Sequence, residues 1–114
     1  MNIEISKYSN ICVVKVIGNI KYDDIDDFDS SINQEIKKGT RDFIFDMKEL
    51  PYINSAVIGE FVRLIREIHD LHGKVFFCGV RPYLQNILEI TGLVNLFQIF
   101  PDLPRALEYI QLNK

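Results

Sequence analysis

Ser55 follows Asn54 where a loop carrying Pro51 gives way to a run of helical periodicity. At such a position a hydroxyl meets backbone N–H groups that have no intrahelical acceptor, and the positive end of the helix dipole. Two kinds of chemistry fit. As an N-cap, the side chain would accept one of those N–H bonds and contribute about 1 kcal/mol of helix stability. As a phosphate acceptor it would gain about −1.5 to −2 charges at a place that tolerates anions, and the new charge would repel an apolar or acidic partner docked beside it. The local residues leave both open.

The remaining reactive side chains carry less. His69 and His72 lie three apart on a predicted helix and could share a metal ion, but no third ligand is spaced to join them and there is no HExxH pattern. They read as solvated residues near a helix C-terminus, where a cation is favoured. The acidic run 23–29 lacks the turn glycine and closing glutamate of a calcium loop, and its apolar residues recur with helical period, so it reads as a solvated helix face. Cys12 and Cys78 each sit inside an apolar run, which suits buried free thiols in a reducing compartment better than a bridge. GxxxxGK[ST], GxGxxG, GxSxG and CxxC are all missing from the sequence. No cofactor and no metal are therefore expected, and no enzyme activity.

Composition narrows the class further. The 114 residues are 47% hydrophobic and 25% charged, the balance of a soluble globular protein, and no Pro/Gly/Ser-rich linker divides them. A single domain over 1–114 is expected. The net charge of −3 offers no basic surplus to a phosphate backbone, so nucleic acid is not the expected partner. The start MNIEISKYSN has no secretory pattern, and no apolar stretch reaches the ~20 residues that span a bilayer. The expected location is the cytoplasm, without membrane insertion.

The elements that must hold Ser55 follow from periodicity. Residues 2–7 alternate with period two and 11–17 form a β-branched apolar run, with turn residues at 8–10 between them, so the two strands should pair antiparallel. Residues 23–38 carry Ile25, Phe28, Ile32 and Ile36 on one helical face, with acids early, lysines late and Gly39 where a left-handed cap is wanted. A strand over 42–47 and a loop over 48–54 precede a helix over about 55–72, capped by Asn54 or Ser55 and ended by Gly73. Its polar stripe is narrow, Glu60, Arg63, Glu67 and Asp70. The rest of its circumference is apolar and must be covered either by the chain itself or by a partner. A strand over 74–78, a helix over 81–91 with Pro82 early, a strand over 97–100 and a final helix capped by Asp102 complete the order ββαβαβαβα. Strands separated by helices pair in parallel, so the expected fold is α/β, with an approximately five-stranded mixed, mostly parallel sheet and about four helices.

The segment Asp46-Met-Lys-Glu-Leu-Pro-Tyr-Ile-Asn-Ser-Ala-Val-Ile-Gly59 resembles the signature of the STAS family, in which an Asp ends a strand and a D-S-[ST]-G-[LI]-G-like segment opens the next helix. His72-Gly-Lys-Val-Phe-Phe77 is similar to the family's glycine-then-strand step, and Leu88-Glu-Ile-Thr-Gly-Leu-Val-Asn-Leu-Phe97 to its LELTGLDKLF-like segment. Gly18 stands at the GxLD-like position, so the resemblance runs through essentially the whole chain.

The resemblance is to the anti-sigma factor antagonist type, which implies a partner-switching module. When the serine aligned with Ser55 is unphosphorylated, the antagonist captures an anti-sigma factor that is often also a serine kinase. Phosphorylation breaks that contact and a serine phosphatase restores it. The expected docking face is the loop over 48–54 with the exposed part of the helix over 55–66, and its residues are Lys21, Asn54, Ser55, Ala56, Ile58, Gly59 and Val62; self-association is left open. Asn54 stands where the family has an acid, Lys21 replaces the acid of the GxLD-like segment, and Ala56 and Val57 replace a hydroxyl residue and a glycine. Those departures suit an alternative, a constitutive structural subunit of a signalling scaffold or transport complex in which Ser55 only caps a helix.

Overall fold

The computed structural model describes residues 1–51 and 53–112. Strands β1 (Asn2–Tyr8) and β2 (Ile11–Ile17) form an antiparallel hairpin closed by Ser9 and Asn10. Ser9 takes a φ of 58°, the left-handed conformation that tight hairpin turns use. A 3-10 turn (Tyr22–Asp24), α1 (Ile25–Lys37), β3 (Asp42–Asp46), α2 (Ser55–Asp70), β4 (Val75–Cys78), α3 (Pro82–Ile90), a short 3-10 turn (Val94–Leu96), β5 (Phe97–Phe100) and α4 (Leu103–Leu112) follow. The sheet order is β1-β2-β3-β4-β5, and β2 to β5 are parallel. The expected mixed sheet with one antiparallel edge strand and four helices is what forms.

Two helix ends differ from expectation. The predicted helix over 23–38 opens as the 3-10 turn, because the Lys21 amide donates to Asp24 Oδ2 at 2.9 Å and tightens the first turn. Gly39 does end α1 with a φ of 100°. At the end of α2, however, His72 takes the left-handed position with a φ of 65°, not Gly73. The Gly73 amide reaches the Ile68 carbonyl at 2.8 Å and the His72 amide reaches His69 at 2.9 Å, the bond pair of a Schellman cap. Gly73 is there for a different reason. A Cβ on it would lie 1.9 Å from the Arg41 carbonyl oxygen, so the chain can pass β3 only without a side chain.

One face of the sheet carries α1, α2 and α3, and its core is aromatic. Phe28, Phe45, Phe61 and Phe77 are fully buried, and Phe45 sits 5.5 Å from Phe61 and 5.6 Å from Phe77 between ring centres. Val57, Phe61, Leu64, Ile65 and Ile68 of α2 bury into this core, so the chain itself covers most of that apolar circumference. Ile58 and Val62 remain half-buried. The other face has α4 alone: Ala106, with Leu103, Leu107 and Ile110, packs on Ile11, Val13, Ile44 and Phe76. Cys12 and Cys78 are free and buried on β2 and β4. Burial above all pushes their thiols up, to about 11 and about 12, which keeps both protonated and unreactive.

Candidate partner-docking site

β3 ends at Asp46, a buried carboxylate whose Oδ1 accepts the Lys48 amide at 3.1 Å, while the Met47 amide reaches the Cys78 carbonyl of β4 at 2.9 Å. The loop that follows is pinned from below by Met47, Leu50 and Ile53, all buried, and leaves Lys48, Glu49 and Pro51 exposed. Tyr52, in the same loop, lies outside the described residues. Neighbouring connections hold it from the sides. Gly18 donates its amide to the Glu49 carbonyl at 2.9 Å, and the Tyr83 hydroxyl of α3 donates to the Pro51 carbonyl at 2.8 Å. Gly79, with a φ of 67°, brings its backbone so close to Lys48 that a Cβ would sit 3.0 Å from the Lys48 nitrogen.

This scaffold delivers the chain to α2 in a fixed direction. Asn54 is the cap: it is extended, its Oδ1 accepts the Val57 amide at 3.0 Å, and its carbonyl accepts the Ile58 amide at 3.0 Å. Of the two cap candidates the structure selects Asn54, because only the residue before the first helical one can turn its oxygen back onto the N–H groups. Ser55 is the first residue of the helix and is exposed, and its hydroxyl has no hydrogen-bond partner among the described residues. No acidic residue lies in the first turn to oppose an anion there.

Spacings of three and four put Ser55, Ile58, Gly59 and Val62 on one stripe of α2. Ser55 and Gly59 are exposed, Ile58 and Val62 are half-buried, and Ala56 at its edge is half-buried too. Val57 is fully buried, so its bulk points inward and does not crowd the stripe. Gly59 is unusual. Nothing lies within 4 Å of where its Cβ would be, and its φ is ordinary, so packing within the chain does not require a glycine. Lys21 is exposed on the connection after β2, at the same end of the sheet; Gly18, where that connection starts, is the residue bonded to Glu49 of the loop.

Beyond the stripe, Glu60 departs from its expected solvated position: it is 8% exposed. Arg63 Nε donates to its carboxylate at 3.1 Å, but the same guanidinium also pairs with Asp29 of α1 and Glu67. One cation shared by three carboxylates leaves Glu60 pushed up to about 7, by burial first and then by the charges of Glu67 and Asp26. His69 and His72 are both exposed, and among the described residues no cluster of potential ligands could hold a metal ion. Tyr83 and Gly79 gave no sign of their role in the sequence, since each acts on a loop some thirty residues away.

Known proteins share this fold. The sequence matches the STAS domain over residues 2–106. It is 24% identical over 99 residues to the anti-sigma-B factor antagonist of Staphylococcus aureus, covering 87% of this chain and 92% of that protein. The fold is similar to that of the anti-sigma factor antagonist SpoIIAA in its unphosphorylated form, with a TM-score of 0.82 at 12% identity over 96% of this chain and 98% of that one. The phosphorylated form of the Bacillus cell fate determinant SpoIIAA gives a TM-score of 0.79 at 14% identity, over 96% and 99%. The family match begins at Asn2 and ends at Ala106, taking in all five strands, the pinned loop and the stripe on α2, and the chain belongs to the STAS domain family.

Proposed function

We propose that this chain is an anti-sigma factor antagonist: a single cytoplasmic STAS unit, 1–114, that binds and does not catalyse, and that captures an anti-sigma factor through the first turns of α2 while Ser55 is unphosphorylated. The observation that carries the reading is the exposed hydroxyl of Ser55, without a hydrogen-bond partner among the described residues and relieved of capping by Asn54. A side chain with no duty in the fold is free to be modified, and the helix N-terminus beside it tolerates the phosphate. The relatives named as antagonists support the choice of partner, and SpoIIAA, which is similar in fold, has been solved in both an unphosphorylated and a phosphorylated form.

Gly59 supports a docking role for the stripe. An exposed glycine inside a helix costs about 1 kcal/mol relative to alanine, and no contact among the described residues explains it. A partner backbone lying against the helix at Gly59, between Ile58 and Val62, would. Lys21, Asn54 and Ala56 border the contact. The partner is an anti-sigma factor that is also a serine kinase, with a serine phosphatase to reverse its action. Among the described residues no helix is long and apolar enough to cross a membrane.

The test is binding of the wild type, Ser55→Ala and Ser55→Glu to the cognate anti-sigma factor, together with mass mapping of phosphate after incubation with it and ATP. Phosphate on Ser55 is expected. Ser55→Ala should bind like the wild type, and Ser55→Glu should lose about 100-fold in affinity, roughly 3 kcal/mol, from an unpaired charge at the contact. Equal binding by all three would favour the constitutive structural subunit.

A further inference from the structure

At the opposite end of the sheet from Ser55, a half-open cavity of about 620 Å³ lies where the amino ends of β2 to β5 meet the second half of α4. Its volume falls within the range of small-molecule sites. The floor is apolar and partly aromatic, from Ile11, Phe76, Phe97 and Ile110. The rim is polar, and much of it is unspent. The side chains of Asn10, His69, Lys74 and Asn95 line the opening with no hydrogen-bond partner among the described residues.

The charge around the opening selects the ligand. Although the chain is net negative, Lys7, Lys37, Lys38, Arg41 and Lys74 all stand at this end, against the acids Glu35, Asp42, Asp70 and Glu108. Lys7 and Lys38 are taken up by Glu35, whose carboxyl the Lys7 bond holds below its ordinary value. Arg41 donates to the carbonyls of Ile36 and Thr40. The one carboxylate in the lining, Asp42, already accepts the Lys74 amide at 3.0 Å. Among the described residues the Lys74 ammonium is the lining cation without a carboxylate partner, and beside an apolar floor it can make a charge-assisted bond to an anion.

We propose that this cavity is a binding site for a small aromatic anion, a flat ring system seated on the apolar floor with one acidic group directed at Lys74. The site lies clear of the Ser55 stripe, so a ligand there and a partner on α2 do not compete for the same surface. The long helix α2 joins the two, with Ser55 at its start and His69 near its end.

The test uses the full chain labelled with ¹⁵N and titrated with 8-anilinonaphthalene-1-sulfonate, followed by amide shifts. Saturable shifts are expected at residues 74–76, 95–98 and 109–110 and none at 55–62. Lys74→Glu, a surface substitution, should weaken binding about tenfold or more, the loss of one charge-assisted contact. Asn95→Trp should fill the mouth and abolish binding, and Ser55→Glu should leave it unchanged. Shifts centred instead on the exposed Ile90 and Val94, the absence of saturation, or equal binding by Lys74→Glu would each overturn the proposal.

Discussion

Gly59 lies within α2 and Gly73 just beyond it, yet a methyl group added to each would meet opposite surroundings. At Gly73 it would land 1.9 Å from the Arg41 carbonyl oxygen and within 2.8 Å of Ile68, whereas at Gly59 it would project into open space. Gly73 is demanded by the packing of the chain on itself, and Gly59 is not. The end of α2 is thus closed, with a hydrogen-bonded cap wedged against β3. Its beginning is a prepared surface, with Ser55 exposed, Ile58 and Val62 half-covered and the loop behind them pinned by Tyr83 and Gly18. The rigidity of the fold holds that one stripe of side chains facing outward.

Three substitutions break or sharpen that contrast. Gly73→Ala should have the largest effect, about 3 kcal/mol of lost stability, because the obstructing atoms are backbone and must move; denaturant unfolding measures it, and a tolerated alanine would erase the difference between the two glycines. Between them lies Glu60, whose folded-state carboxyl is raised to about 7 from 4.5. An acid raised in this way binds its proton more tightly when folded, so the protein should lose stability as pH climbs from about 4.5 to 7. Glu60→Gln should flatten that profile, making the variant about 1–2 kcal/mol more stable above pH 7 relative to its own value at pH 4 than the wild type is. Thermal melts across the range would reveal it, and parallel curves would mean that Arg63 fully compensates the burial. The smallest effect on stability belongs to Gly59→Ala, a gain of up to about 1 kcal/mol, paired with weaker capture of the anti-sigma factor by the same protein. A gain in stability with unchanged capture would remove Gly59 from the docking stripe.

Much of this was legible in the chain itself. The period-two run 2–7, the helical spacing of Phe28, Ile32 and Ile36, and the Gly39 cap depend on residues close in sequence, and each appears where expected. What could not be read depends on distant neighbours. Asn54 and Ser55 are equally good caps by type, and only the entry direction of the pinned loop decides for Asn54. His72 takes the left-handed position because the glycine beside it is needed against Arg41, some thirty residues upstream. Glu60 belongs to the polar stripe of an isolated helix, but α1 packs alongside and draws its arginine toward Asp29. The cavity at the far end had no local signature, since its lining comes from strands, a turn and two helices that meet only in the folded sheet.

The strand order β1-β2-β3-β4-β5 is also the order in which the strands are made. Every strand after the first adds beside the one just completed, and none has to be inserted between two already paired. A chain emerging from the ribosome can therefore extend its sheet from one growing edge, with each helix of the aromatic face laid down before the next strand arrives, and the ring closures stay short. The β3–α2 segment that presents Ser55 is made midway, so β4 and α3, which pin its loop through Cys78 and Tyr83, follow it off the ribosome. The serine surface consequently becomes rigid only once α3 has followed it, later than it is synthesised.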